Sequence, residues 1–142
     1  MVPGVKAFFL AEEIPLFPVD IHCCSMYSTS MLAKDLVAAS SKPLVLSILA
    51  DGESYGYEII QEVRELSGGH IEWSDGMLYP VLHRLEREGL IDSEWKEADT
   101  GRERKYYSLT SKGGKTLAVE RQQWLKVHNT LCKLWKLKPV SI

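Results

Sequence analysis

Arg102, Arg104 and Lys105 crowd around a single acid, Glu103, and Tyr106 and Tyr107 follow at once. Guanidinium and ammonium groups gathered at a turn suit contact with phosphates, which fixes a nucleic-acid duplex in place without reading its sequence. A second set lies upstream. Tyr79, His83, Arg84 and Arg87 fall at helical spacing, with Ser74, Asp75 and Met77 at the leading end and Pro80 within the first turns. Side chains of these types on one helix face can reach base edges in a major groove. Each also has a plainer reading. Tyr79 can pack, His83 can be solvated, Arg84 and Arg87 can pair with Glu86 or Glu88, and the later arginines can guard a sheet edge. Their order along one chain, helix face first and basic turn second, is what favours a DNA interface.

Other chemistries find less support. His22 precedes the adjacent Cys23 and Cys24, but the CxxC spacing of a metal or redox pair is missing, and Cys132 stands far away. Free thiols in a reducing cytoplasm are expected, with no metal and no cofactor. His22, His70, His83 and His128 belong to separate elements, and there is no nucleophile elbow, phosphate loop or metal triad, so no enzyme is expected.

These side chains need a scaffold, and 142 residues, 45% hydrophobic and 25% charged, suffice for one ordinary core. The net charge of -2 announces no overall basic field, so DNA binding would depend on a local patch. No apolar stretch has the length of a membrane span. Ala7 to Leu10 is cut short by Glu12, Glu13, Pro15 and Pro18, without the cleavage pattern of a secretory signal. Residues 1–30 contain three prolines and only Lys6 as a base, and Met26 and Met31 both offer later starts. They read as an atypical extension, or as an arm laid over the domain.

From Met31 the pattern is orderly. A short helical stretch to Ala39 is expected, then a new helix with Pro43 in its first turn, ended by Asp51-Gly52. Ser54 is expected to cap a second helix with Ile59, Ile60, Val63 and Leu66 on its apolar face, stopped by Ser67-Gly68-Gly69. Ser74 should cap a third, Ser74 to Glu88, anchored by Leu78, Val81, Leu82 and Leu85; Pro80 predicts a bent or late-starting first turn. Ile91 to Trp95 and Arg102 to Leu109 read as strands around a polar turn from Lys96 to Gly101. After Thr110 comes a long helix in which Leu117, Trp124 and Leu131 recur every seven residues, with Val127 and Leu134 as a second series. Such a seam fits another helix and predicts a homodimer. The fold class is mainly α with a small β-hairpin. A winged helix-turn-helix spans 31–110, and a dimerisation helix and tail span 111–142.

The motifs Tyr55-Gly56-Tyr57-Glu58-Ile59, Gly76-Met77-Leu78-Tyr79-Pro80, Leu85-Glu86-Arg87-Glu88-Gly89-Leu90, Gly101-Arg102-Glu103-Arg104-Lys105-Tyr106-Tyr107 and Leu109-Thr110-Ser111-Lys112-Gly113 stand in this order. Together they resemble the PadR family of bacterial transcriptional regulators, usually repressors, over Leu32 to Trp135. Met77 stands where the family more often has Thr, and proline at Pro80 agrees with the family pattern. The resemblance implies a homodimer held by the C-terminal and N-terminal helices, with two recognition helices on a palindromic operator. It also places Trp124 where some relatives stack a flat aromatic effector at the dimer centre; the alternative is a plain seam residue. The single C-terminal helix matches the smaller branch of the family. The expected function is thus operator-bound repression, with Ser74, Met77, Tyr79, Pro80, His83, Arg84, Arg102, Arg104 and Lys105 on double-stranded DNA. The alternative is a winged-helix module for protein contacts alone.

Overall fold

The computed structural model describes residues 32–138, within the second of the chain's two units, Leu32–Ile142. The expectations for residues 1–30, Met26, Met31, His22, Cys23 and Cys24 lie outside the described residues.

The first helix, α1 (Lys34–Ala50), runs unbroken through Pro43. The expected break at Ser40–Lys42 does not occur. A mid-helix proline costs about 3 kcal/mol through its missing N–H and the crowding of the preceding turn. Two features offset it. Val45, Leu46, Ile48 and Leu49 are buried, each worth roughly 1.5–3 kcal/mol. Ser40 and Ser41 donate their hydroxyls to the carbonyls of Val37 (2.9 Å) and Ala38 (2.8 Å), tying the turn before the proline together.

Ser54 is not a helix cap. With Tyr55 it forms a two-residue strand, β1 (Ser54–Tyr55), and its hydroxyl donates to Glu58 Oε1 at 2.8 Å. Helix α2 (Gly56–Leu66) follows, with Ile59 and Val63 buried and Tyr55 as an N-cap that makes no side-chain bond. Leu66, expected on the apolar face, is 75% exposed. The Ser67-Gly68-Gly69 stop forms as expected, with φ of 67° and 87° at the two glycines, a region that costs a residue without Cβ little.

Helix α3 (Asp75–Arg87) buries Leu78, Leu82 and Leu85, while Val81 packs half-buried against the core. Two local expectations fail. The Ser74 hydroxyl makes no capping bond; its carbonyl instead accepts the N–H groups of Met77 and Leu78 at 3.0 Å each. Pro80 neither bends nor delays the start, since α3 runs from Asp75 through it. The carbonyl it deprives belongs to Gly76, which is exposed and open to water.

Strands β2 (Ile91–Glu97) and β3 (Glu103–Leu109) pair antiparallel from Ile91 opposite Leu109 to Glu97 opposite Glu103. The wing is longer than expected, and its turn tightens to Ala98–Arg102, closed by bonds between the two at 2.7 Å and from Gly101 to Ala98 at 2.8 Å. The expected hairpin becomes a three-stranded sheet of order β1-β3-β2, because β1 pairs with Tyr106 and Tyr107. The core thus joins α1, α2 and α3 to Leu90, Ile91 and Tyr107, with Trp73, 7% exposed, sealing the approach to α3.

Helix α4 (Ser111–Trp135) begins at a working cap, where Thr110 Oγ1 accepts from the Gly113 N–H at 3.0 Å. The same hydroxyl lies 2.7 Å from the Gly89 carbonyl oxygen. A Cβ on Gly113 would run into the Leu90 carbonyl oxygen and stand 2.8 Å from Leu109 Cδ1, so only glycine permits this approach. Farther along, α4 packs on α1, with Lys42 and Glu120 3.8 Å apart. No described helix is long and apolar enough to cross a membrane.

Candidate nucleic-acid interface

The exposed side of α3 and the wing flank one groove of about 740 Å³, bordered by Tyr55, Tyr79, His83, Trp95, Arg104 and Lys105. The start of α2 closes its upper end at Gly56 and Tyr57. Helix α3 is held by its three leucines and tied to the wing by a 2.6 Å bond from the Ser93 hydroxyl to Glu86 Oε2.

Along α3, Ser74, Met77, Pro80, His83, Arg84 and Arg87 are exposed. Tyr79 departs from the expected outward face. It is half-buried against the core, and its hydroxyl lies so close over Gly56 that a Cβ there would collide with it. His83 sits beside it, ring centroids 6.4 Å apart. Gly56 was the available sequence signal, since a helix-starting glycine under an aromatic ring invites close approach.

The basic cluster is divided by the pleat of β3. Arg104 and Lys105 are neighbours in a strand, so they leave on opposite faces. The Arg104 guanidinium lies 4.4 Å over the Tyr55 ring, and Lys105 Nζ lies 5.7 Å over the Tyr107 ring. Arg102 is exposed at the turn. Both contacts leave the cations charged and available, since a ring face attracts without neutralising.

Among the described residues, the ion pairs engage Lys42, Arg64 and Lys96 and none of Arg84, Arg87, Arg102, Arg104 or Lys105. The plainer reading of Arg84 and Arg87 as partners of Glu86 or Glu88 therefore fails. Lys96 instead places Nζ 2.7 Å from both Glu53 oxygens, and that hydrogen bond raises its pKa.

Beneath the groove, Tyr107 is 1% exposed, and its hydroxyl finds no partner among the described residues. Burial, followed by the neighbouring Tyr79 and Glu86, pushes its pKa up to about 12.

On α4, Leu117 packs against the core, Trp124 and Leu131 are half-buried, and Val127 and Leu134 are 55% and 71% exposed. Cys132 is buried, with Sγ 3.4 Å from His128 Nε2. Among the described residues no three His, Cys, Asp or Glu side chains gather to hold a metal ion.

Residues 45–119 match the Transcriptional regulator PadR-like family. A transcriptional regulator from Mycobacterium tuberculosis is 41% identical over 78 residues, covering 55% of this chain and 69% of that protein. The negative transcriptional regulator PadR of Bacillus subtilis is 31% identical over 90 residues, 63% of this chain and 47% of that longer protein. The crystal structure of a PadR-like transcriptional regulator from Bacillus cereus superposes with a TM-score of 0.66 at 30% identity, over 74% of this chain and all of that one (100%). The chain belongs to the PadR-like family of transcriptional regulators, and is a regulator rather than an enzyme.

Proposed function

We propose that the chain acts in the cytoplasm as a DNA-binding homodimer that represses transcription by occupying a palindromic operator. One observation carries this reading: five cations on α3 and the wing, Arg84, Arg87, Arg102, Arg104 and Lys105, have no carboxylate partner among the described residues, in a chain of net charge -2. Met77, Pro80, His83 and Arg84 on the exposed face of α3 would enter the major groove, with Ser74 at the helix start near a phosphate. Tyr79 would support the helix from below and reach DNA only at its rim. Arg102, Arg104 and Lys105 would meet the backbone.

Dimerisation is supported by the exposed apolar side chains Val119, Val127, Leu134 and Trp135 on α4. Joined to the half-buried Leu117, Trp124 and Leu131, they offer a seam to a second copy. A flat aromatic effector beside Trp124 would relieve repression by changing the spacing of the two recognition helices. That the Bacillus subtilis relative is a negative regulator supports repression over activation.

The test is a gel shift on the chain's own promoter against random DNA at several salt concentrations. Preference for the promoter with steep salt dependence is expected, and its absence sinks the reading. Replacing Arg102 and Arg104 by alanine should weaken binding to all sequences and flatten the slope of log K against log salt by about 2. An unchanged slope would show that the wing touches no phosphate.

A further inference from the structure

Two adjacent residues, Tyr55 and Gly56, touch both halves of the candidate interface. Gly56 lies under the Tyr79 hydroxyl of α3, and Tyr55 reaches the wing. Its backbone pairs with Tyr106, the two rings meet edge to face with centroids 5.3 Å apart, and the Arg104 guanidinium lies 4.4 Å over the Tyr55 ring. The turn that carries this ring is itself fastened. Ser54 is buried, and its hydroxyl donates to Glu58 Oε1 at 2.8 Å. The half-buried Tyr55 is therefore a firm platform.

The sheet register gives Arg104 surroundings of its own. Arg104 stands opposite Lys96, and Lys105 opposite Trp95. Pleating thus sets Arg104, Lys96, Tyr106 and Tyr55 on one face, and Lys105, Trp95 and Tyr107 on the other. Like charges opposed across a strand pair repel. Here Lys96 is neutralised by Glu53, whose two oxygens lie 2.7 Å from its Nζ, and it also lies 5.7 Å over the Tyr106 ring. Arg104 rests on Tyr55 instead and has no carboxylate partner among the described residues. A guanidinium over a ring keeps its charge, and its N–H edges stay open to an anion. An arginine without such support samples many rotamers, and ordering one such side chain on binding weakens association by roughly two- to tenfold.

We propose that Tyr55 is a positioning residue for DNA binding: its ring holds the Arg104 guanidinium ready before DNA arrives, so that it meets a backbone phosphate without first being ordered. Tyr55 itself contributes no charge and reads no base. The role rests on the DNA interface proposed above; the holding of Arg104 in the unbound chain does not.

The test combines a double-mutant cycle with the salt dependence of binding, on the full chain with its own promoter and with random DNA. Tyr55→Leu should weaken binding to both DNAs by about two- to tenfold. The slope of log K against log salt should stay at the parent value, because every cation remains. Arg104→Gln should weaken binding and also flatten that slope by about 1. In the Arg104→Gln background, Tyr55→Leu should have no further effect. Tyr55→Phe, which keeps the ring, should retain the parent affinity. Without DNA, the magnetic resonance signal of the Arg104 Nε–H should show a ring-current shift and low mobility in the parent and in Tyr55→Phe, and lose both in Tyr55→Leu.

Equal losses from Tyr55→Leu in the parent and in Arg104→Gln would show a general structural effect and overturn the proposal. A mobile Arg104 side chain in the unbound parent overturns it too, even where Tyr55→Leu fails to fold. A parent that binds no DNA defeats the proposed function and the role together. A parent that binds DNA no better than Tyr55→Leu defeats the role alone.

Discussion

Adjacent glycines near the start of α4 should respond to the same substitution with opposite signs. A Cβ on Gly113 meets the Leu90 carbonyl oxygen head-on, with the Leu90 carbonyl carbon at 3.0 Å and Leu109 Cδ1 at 2.8 Å. The leucine methyl can turn aside, but the carbonyl cannot. Leu90 O accepts the Thr110 N–H at 3.0 Å, and Thr110 in turn caps α4. Overpacking of this kind costs about 1–3 kcal/mol, with the upper end appropriate to backbone. Disturbing one of these hydrogen bonds adds roughly 1 kcal/mol. Against this, alanine is favoured over glycine within a helix by about 1 kcal/mol. Gly113→Ala should therefore lose about 2–3 kcal/mol. At about 4–8 °C per kcal/mol for a domain of this size, Tm falls by roughly 10 °C or more. On Gly114 the new Cβ finds only Leu109 Cδ2 at 3.9 Å, an ordinary contact. Gly114→Ala should gain about 0.5 kcal/mol from the reduced freedom of the unfolded chain. Thermal unfolding followed by helical circular dichroism, at one fixed chain concentration because self-association shifts Tm, reads both. If Gly113→Ala stays within about 0.5 kcal/mol of the parent, or if both variants lose equally, the close approach of α4 to Leu90 is wrong.

Three further outcomes follow from the groove and its floor. Gly56→Ala should displace Tyr79, whose hydroxyl and Cζ crowd that position; in a Tyr79→Leu background the same change should be close to neutral, and a double-mutant cycle in chemical denaturation would show no coupling if the two do not touch. Tyr107→Phe should be neutral or mildly stabilising at neutral pH, because the hydroxyl is buried without a partner. The parent should also lose stability at high pH: with the folded pKa raised from 10.0 to about 12, the contribution is complete below pH 10 and disappears as pH rises through about 12. Urea titrations of parent and Tyr107→Phe across that range test the sign, and identical profiles would refute it.

Much of the fold was legible because the apolar spacing was unambiguous. Leu78, Leu82 and Leu85 mark α3 without help from any neighbour, and the glycines at Gly68, Gly69 and Gly101 take the positive φ their positions suggest. What misled was punctuation. Pro43 and Pro80 look like boundaries, yet tertiary burial carries both helices through them. Ser54 looks like a cap, but its backbone pairs with a strand more than fifty residues later, a contact no local pattern announces. Trp73 escapes a local reading for the same reason, since a lone tryptophan between Glu72 and Ser74 shows no period. At the interface the residue types were readable but not their directions. Pleating sends Arg104 and Lys105 to opposite faces of β3, and Tyr79 turns inward over Gly56.

The tight seating of Gly113 on Leu90 also joins the start of α4 to the end of the wing. From there α4 extends 22 residues to Trp135, about 33 Å at 1.5 Å per residue. A tilt of only about 5° at that point, too small to break the Thr110 cap, would carry the far end through about 3 Å. In the homodimer proposed above, a movement of that size at the distal end would reach the root of the wing as a slight turn at Leu109 and Thr110. A dimer partner pressing on the distal half of α4 would thus be felt, through this contact, by the strand that carries Arg104 and Lys105.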